Sequence, residues 1–142
     1  MKVSARNTFK GKVSALRNGA VNAEVELELS AGERLVAVIT VESARTLDIA
    51  VGKDVFALVK APWVMLMTDD EGIRLSARNC LRGTVKAVEI GAVNADVTLG
   101  LPSGVEISAI VTREAVNELG LKPGVAATAV IKASSVILAV PA

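Results

Sequence analysis

Apolar and polar residues alternate along much of the chain. Between Val21 and Leu29 every odd position is apolar, and every even position is Asn or Glu. This period of two predicts a half-buried strand, because successive side chains of a strand point to opposite faces. A short helix is predicted over residues 42–47, where Thr40 can act as the N-cap. Further apolar runs predict strands over residues 9–16, 35–41, 55–60 and 64–67.

The same pattern occurs twice, at an offset of 72 residues. Residues 4–70 align with residues 76–142 without a gap, and 26 of the 67 aligned pairs are identical. Such self-similarity at a fixed offset indicates a tandem duplication. The second copy of the helix is the clearer one, because it runs from Thr112 to Leu119 and then meets Gly120, a stop signal.

The repeat predicts a chain of two modules, residues 2–68 and 74–140. Residues 69–73 form the linker, in which three acidic residues and a Gly indicate a short exposed turn. Five strands with one helix between the third and fourth are typical of an OB-type barrel. The predicted fold is therefore mainly β, with two tandem OB-like five-stranded barrel modules that each carry one short helix.

Composition limits what such modules can do alone. Ala and Val contribute 22 residues each, whereas Phe, Trp and Tyr together reach 2%. Modules of fewer than 70 residues that are built from small side chains have weak cores, because burial energy scales with apolar area. We therefore expect the modules to pack against each other and to oligomerise.

Charge and residue types exclude several classes of function. The chain has no His and one Cys, which removes the commonest general base and any multi-Cys zinc site, so we expect no bare metal cation and no enzyme. A net charge of +1 and few rings disfavour nucleic acid binding. No charge-free stretch exceeds ten residues and no signal peptide is recognisable, so we expect a cytoplasmic protein without a membrane partner.

Two further candidates for chemistry have structural interpretations. Cys80 lies in a predicted strand with alternating apolar residues, so we interpret it as a packed thiol rather than a nucleophile. Glu24, Glu26 and Glu28 lie on one face of a strand, but the second copy lacks the last two carboxylates. A solvated face is therefore the preferred interpretation over an acid–base pair.

Seven polar positions are retained in both copies, and only one of them is acidic. They are Ser4/Ser76, Arg6/Arg78, Asn7/Asn79, Asn22/Asn94, Thr40/Thr112, Glu42/Glu114 and Lys60/Lys132. Hydroxyls, backbone N–H groups and a cation suit a tetrahedral dianion, and a helix start adds unpaired N–H groups. Individually, the same residues could satisfy turns or lie as solvated charges. Gly19 and Gly91 could serve tight turns with positive φ.

Three motifs resemble those of the Mop family, TOBE-type proteins that bind molybdate or tungstate. The motifs are Ser-Ala-Arg-Asn near each module start, Gly-Ala-Val-Asn-Ala in the second strand, and Lys-Ala-Pro or Lys-Ala-Ser near each module end. The tandem arrangement is similar to that of a di-Mop molbindin. The resemblance implies a homotrimer that holds oxyanions between neighbouring modules, without a cofactor and without turnover.

The resemblance also implies which residues bind the oxyanion. An inter-module class of site would use Ser4, Ala5, Arg6, Thr40, Ser43, Lys60 and Ala61, with Ser76, Ala77, Arg78, Thr112, Lys132, Ala133 and Ser134 in the second copy. A class near the threefold axis would use Gly19, Ala20, Val21 and Asn22, with Gly91, Ala92, Val93 and Asn94. Each copy lacks one donor, because Ser43 becomes Ala115 and Ser134 has Pro62 as its counterpart.

The function implied is intracellular binding of molybdate and tungstate for molybdenum storage or homeostasis. The alternative is an oxyanion-sensing regulatory module that acts on a transporter ATPase or a transcription factor. A nucleic-acid-binding OB protein is a third hypothesis, which the composition disfavours.

Overall fold

The computed structural model describes residues 1–141, and most of them lie in ten strands and two short helices. The first repeat contains β1 (Asn7–Asn18), β2 (Asn22–Leu29), β3 (Arg34–Thr40), α1 (Val41–Thr46), β4 (Asp54–Val59) and β5 (Met65–Met67). The second contains β6 (Asn79–Ile90), β7 (Asn94–Gly100), β8 (Glu106–Thr112), α2 (Arg113–Leu119), β9 (Ala126–Ile131) and β10 (Ile137–Ala139). Mainly β content in two five-stranded sheets, with one α-helix per repeat, confirms the predicted fold class.

Strand formation follows the alternation of the sequence. In β2 the side chains of Ala23, Val25, Leu27 and Leu29 are buried, whereas the intervening polar residues lie at or near the surface. The corresponding positions of β7 are buried in the same way. The predicted period of two therefore builds the core face of both sheets.

The helices begin and end where the sequence predicts. The hydroxyl of Thr40 accepts a hydrogen bond from the Ser43 N–H, and Thr112 caps α2 in the same manner. Gly120 ends α2 at a φ of 66°, and Asp48, the residue aligned with it, also has a positive φ. No helix in the described part of the chain is long and apolar enough to cross a bilayer.

Each sheet is completed by a strand from the other repeat. The order of the first sheet is β10-β4-β1-β2-β3, and that of the second is β5-β9-β6-β7-β8. Leu138 of β10 pairs with Ala57, while Leu66 of β5 pairs with Ala129, and both leucines are buried. The two repeats therefore exchange their last strands, so that neither sheet consists of one sequence repeat alone.

The exchange makes a testable prediction about which repeat depends on β10. Replacing Leu138 with alanine is expected to lower the free energy of unfolding by about 2 kcal/mol, at the low end for a buried leucine because the strand is short. Hydrogen exchange should accelerate in β4 of the first repeat. The matched variant Ile137→Ala, on the exposed side of the strand, should change little. Acceleration confined to the second repeat would contradict the exchanged pairing.

The linker is an exposed turn except at Asp70. Its carboxylate is half-buried, accepts a hydrogen bond from the Thr128 hydroxyl at 2.9 Å and lies 3.4 Å from the Arg82 guanidinium. Asp69 and Gly72 are exposed, with positive φ values of 51° and 76°. Asp70 therefore attaches the linker to the second sheet.

The prediction of a packed thiol at Cys80 is wrong. Cys80 is exposed, and its Sγ lies 3.7 Å from the carbonyl oxygen of Ala77. The reason is the phase of the alternation, because Asn79 occupies the buried position at the start of β6 and the next residue must face outwards.

Candidate functional site

Two of the retained asparagines join the repeats to each other. The Asn79 side chain is 2% exposed, donates to the Val36 carbonyl at 2.8 Å and accepts from the Val36 N–H at 2.7 Å. Asn7 makes the equivalent pair of bonds to the backbone of Ser108, each at 2.8 Å. Each amide therefore extends the hydrogen-bonding edge of a strand in the other repeat, which explains its retention without a ligand.

The retained arginines also cross between the repeats. The guanidinium of Arg6 lies 2.7 Å from the Asp96 carboxylate, and that of Arg78 lies 2.8 Å from the Glu24 carboxylate. The hydrogen bond from Arg78 is the main cause that lowers the pKa of Glu24 below its ordinary value. Both arginine side chains are thus partly occupied by a carboxylate and are not free cations.

The other carboxylates of β2 correct the prediction of a solvated face. The Glu26 side chain is only 14% exposed and pairs with Arg34 at 3.1 Å and with Arg17 at 3.5 Å. Glu28 is exposed, as predicted. The prediction is therefore wrong for Glu24 and Glu26, since cations from neighbouring segments cover them. Each of these carboxylates therefore pairs with a guanidinium and not with the other carboxylate, which does not suit an acid–base pair.

Most of the predicted second-copy residues line one groove, which we call the Lys132 groove. Its volume is about 400 Å³, and the predicted residues that line it are Ser76, Ala77, Arg78, Lys132, Ala133 and Ser134. Val38 and Met65 of the first repeat also line it. The groove therefore requires both repeats, because β3 and β5 form part of its wall.

The structure separates Thr112 from this group. Thr112 caps α2 and does not line the Lys132 groove. Instead, β3 of the first repeat contacts the short 3-10 turn that follows Lys132, and β8 contacts the equivalent turn that follows Lys60. Each retained lysine is thus associated with the third strand of the other repeat, a pairing that the sequence did not predict.

The two helix starts retain different hydroxyl donors. In the first repeat, the Thr40 hydroxyl donates to Ser43 Oγ at 2.8 Å, which leaves the Ser43 hydroxyl to donate onward. In the second repeat Ala115 offers only its backbone N–H to Thr112, at 3.0 Å. The Thr112 hydroxyl has no acceptor within residues 1–141.

The first-copy residues have different surroundings from those of the second copy. Ser4 and Arg6 are exposed, Ala5 is half-buried, and Ala61 is buried in the 3-10 turn after Lys60. The Lys60 ammonium lies 5.5 Å from the centroid of the Trp63 ring, within cation–π range. No ion pair within residues 1–141 involves Lys60 or Lys132.

The Gly-Ala-Val-Asn segments form tight turns, but not with the predicted backbone. The Gly19 N–H donates to the Asn22 carbonyl, and that of Gly91 to the Asn94 carbonyl, both at 2.8 Å. Neither glycine has a positive φ, so that prediction is wrong. Glycine is required for close approach instead, because a Cβ at Gly19 would lie 2.9 Å from the Asn22 oxygen.

These turns expose apolar side chains at the tips of two hairpins. Val21 is 70% exposed and Val93 is 73% exposed, and Ala20 and Ala92 are exposed beside them. The backbone N–H groups of Val41 and Arg113, at the starts of α1 and α2, donate hydrogen bonds to the carbonyls of Val21 and Val93. The exposed tips are available to a neighbouring molecule, and their assignment to a threefold-axis site stays a prediction.

No cluster of three or more His, Cys, Asp or Glu side chains that could hold a metal ion occurs within residues 1–141. The polar groups at the Lys132 groove are instead an ammonium, a guanidinium and hydroxyls. Such donors bind anions.

Comparison with known proteins identifies the family. The TOBE domain model matches residues 3–66 and 75–138, one match in each repeat. The chain belongs to the TOBE family. The two TOBE repeats are 67% identical to the cytoplasmic molybdate-binding protein ModG, whose crystal structure was solved with molybdate bound. That structure has a TM-score of 0.96, and the match covers 99% of this chain and 100% of that one.

Curated relatives of the TOBE repeats are longer proteins. The molybdenum transport protein ModE of Azotobacter vinelandii is 52% identical over 140 residues, and the molybdenum-pterin-binding protein MopA of Rhodobacter capsulatus is 48% identical over 141. Each match covers 99% of this chain but only 52% or 53% of the relative. The chain thus spans about half the length of these relatives. The predicted resemblance to Mop proteins is confirmed.

Five residues near the candidate sites were missed by sequence reasoning, namely Val38, Met65, Leu75 and Val130 at the Lys132 groove and Trp63 beside Lys60. Val38 and Met65 line the Lys132 groove only because the repeats interlock, and no local pattern in a single repeat indicates that. Trp63 could have been found from the sequence, since it is the only Trp of the chain and lies three residues after a retained lysine.

Proposed function

We propose that this chain binds molybdate, and tungstate through the same chemistry, in the cytoplasm and without catalysing a reaction. The observation that carries the proposal is the Lys132 groove, where two motifs that begin 56 residues apart in sequence, at Ser76 and at Lys132, line one cavity. The similarity to ModG, a cytoplasmic protein solved with molybdate, supports the choice of ligand. We propose storage or homeostasis of molybdenum as the biological role.

The charges around the groove suit a dianion of modest size. Lys132 brings a positive charge that no carboxylate within residues 1–141 neutralises, whereas Arg78 shares its guanidinium with Glu24. Ser76 and Ser134 are exposed and carry hydroxyl donors. Hydrogen bonds from charged donors are about twice as strong as neutral ones, so we assign the main electrostatic contribution to Lys132.

We also propose that the groove is closed by another copy of the chain, in a homotrimer. Met65 and Leu75 both line the groove and are 54% and 44% exposed. Contiguous exposed apolar side chains of this kind favour a protein interface. Covering them would also exclude water from the anion, which strengthens each hydrogen bond.

Titration calorimetry combined with native mass spectrometry tests the proposal. Molybdate and tungstate should release heat at micromolar protein, and the assembly should have the mass of a trimer that carries bound oxyanions. Sulfate has the same charge and shape but is smaller, so stretched hydrogen bonds should weaken its binding about tenfold or more. Absence of molybdate heat would contradict the proposed ligand, and a strictly monomeric mass would contradict the proposed assembly.

A regulatory role is the second candidate, and the ModE relatives favour it. The DNA-binding transcriptional dual regulator ModE of Escherichia coli is 38% identical over 141 residues, which are 52% of that protein. An oxyanion-sensing module of this kind would act on a transcription factor or a transporter ATPase. Affinity capture of a partner from cell extract that changes when molybdate is added would favour sensing over storage.

A further inference from the structure

The two retained lysines follow the same backbone path but meet different side chains. Lys60 has φ and ψ of −68° and 136°, and Lys132 has −65° and 138°. Each lysine carbonyl accepts a hydrogen bond at 2.9 Å from the N–H three residues later, which belongs to Trp63 or to Ser135. The two lysines therefore have the same backbone conformation and backbone hydrogen bond, and any difference in their anion binding arises from side chains.

The side chains differ in a way that affects the lysine charge. The Trp63 ring lies 5.5 Å from the Lys60 ammonium and is 41% exposed. Ser135, at the corresponding position after Lys132, has no ring. A cation above an indole face is attracted by the ring quadrupole, so Lys60 must give up this contact to bind an anion fully.

The residues next to each lysine also favour anion binding at Lys132 over anion binding at Lys60. Pro62 has neither a backbone N–H nor a hydroxyl, whereas Ser134 has both. The interlocked repeats add to this difference, because the Lys132 turn contacts β3, which leads to Ser43, while the Lys60 turn contacts β8, which leads to Ala115. The hydroxyls of Ser43 and Ser134, neither of which has a counterpart in the other repeat, therefore both belong to segments on the Lys132 side.

We propose that Trp63 is an affinity-determining residue, which holds Lys60 against its ring and makes the Lys60 site the weaker of two unequal oxyanion sites. This inference rests on the proposed binding of molybdate. The stronger site takes up the oxyanion first, and the Lys60 site fills only at higher concentration. A cation–π contact at an exposed position corresponds to a factor of about two to five in affinity.

Calorimetric titration of the full chain with molybdate tests the inference. The wild type should show two classes of site. Trp63→Leu keeps apolar bulk but removes the ring, so it should strengthen the weaker class by about two- to fivefold and leave the stronger class unchanged. Trp63→Phe keeps a ring and should lie closer to the wild type. The reverse change, Ser135→Trp, should weaken the stronger class by a similar factor.

A second measurement guards against a variant that fails to fold. Trp63 is the only Trp, so its fluorescence in the wild type should change as the weaker class fills. In Lys60→Gln that change should disappear, while uptake at the stronger class continues. A wild type without molybdate uptake would contradict the proposed function itself. Uptake at a single class of site, or an unchanged weaker class in Trp63→Leu, would overturn this inference alone.

Discussion

Replacing Asn79 with alanine is expected to lower the free energy of unfolding by about 3 kcal/mol. The Asn79 amide makes two hydrogen bonds to the backbone of Val36, at 2.7 and 2.8 Å, and the side chain is 2% exposed. Alanine would leave both the N–H and the carbonyl of Val36 without this partner in a part-buried position. A denaturant titration that is followed by circular dichroism measures the change.

The chain provides a matched control for this variant. Asn22 is also retained between the repeats, but it is exposed and lies at a hairpin end, so Asn22→Ala should change stability by less than about 0.5 kcal/mol. Asn7→Ala should resemble Asn79→Ala, since its amide bonds to Ser108 and Val59. Equal effects for Asn79 and Asn22 would contradict the role of the buried amides in joining the repeats.

Replacing Lys132 with alanine is expected to weaken molybdate binding at the stronger site by about 10- to 100-fold. The reason is that hydrogen bonds to charged groups contribute about 1.5–3 kcal/mol, and the ammonium has no carboxylate partner in the described part of the chain. Lys60→Ala should have a smaller effect on the weaker site, because Trp63 already competes for that lysine. Calorimetry on both variants measures the two changes.

Lys122 serves as the control for general electrostatic attraction. It is exposed in the loop after α2 and does not line the Lys132 groove. Lys122→Ala should leave the affinity within about twofold of the wild type, because exposed charges at a distance are screened by salt. Circular dichroism should show that all three variants are folded. If Lys132→Ala binds as tightly as Lys122→Ala, the assignment of this lysine is wrong.

Local patterns predicted the individual elements, but not how the repeats join. The alternation from Val21 to Leu29 and the caps at Thr40 and Thr112 depend on neighbours in sequence, so they could be predicted from the chain alone. The exchange of β5 and β10 depends on a choice between two sheets that offer nearly the same edge. Because the repeats are similar, no local signal distinguishes pairing within a repeat from pairing between repeats.

The candidate site, like the fold, could be predicted from the sequence only in part. The motif residues Ser76 and Lys132 do line one groove, as the resemblance implied. However, retention in both copies had suggested a ligand contact for Asn7 and Asn79, whereas these residues bind the backbone of the opposite repeat. A duplicated chain retains polar residues for docking its two halves as well as for a ligand, and sequence comparison within the chain cannot separate these causes.

The most direct test of the proposed oxyanion binding is a crystal of the chain soaked with molybdate, with diffraction recorded at the molybdenum absorption edge. We expect an anomalous peak in the Lys132 groove, placed so that oxygens of the oxyanion lie about 3 Å from Lys132 Nζ and within hydrogen-bond distance of the Ser76–Arg78 segment. A weaker peak should appear beside Lys60. Molybdenum bound only at other positions, with no peak near either lysine, would contradict the proposed site.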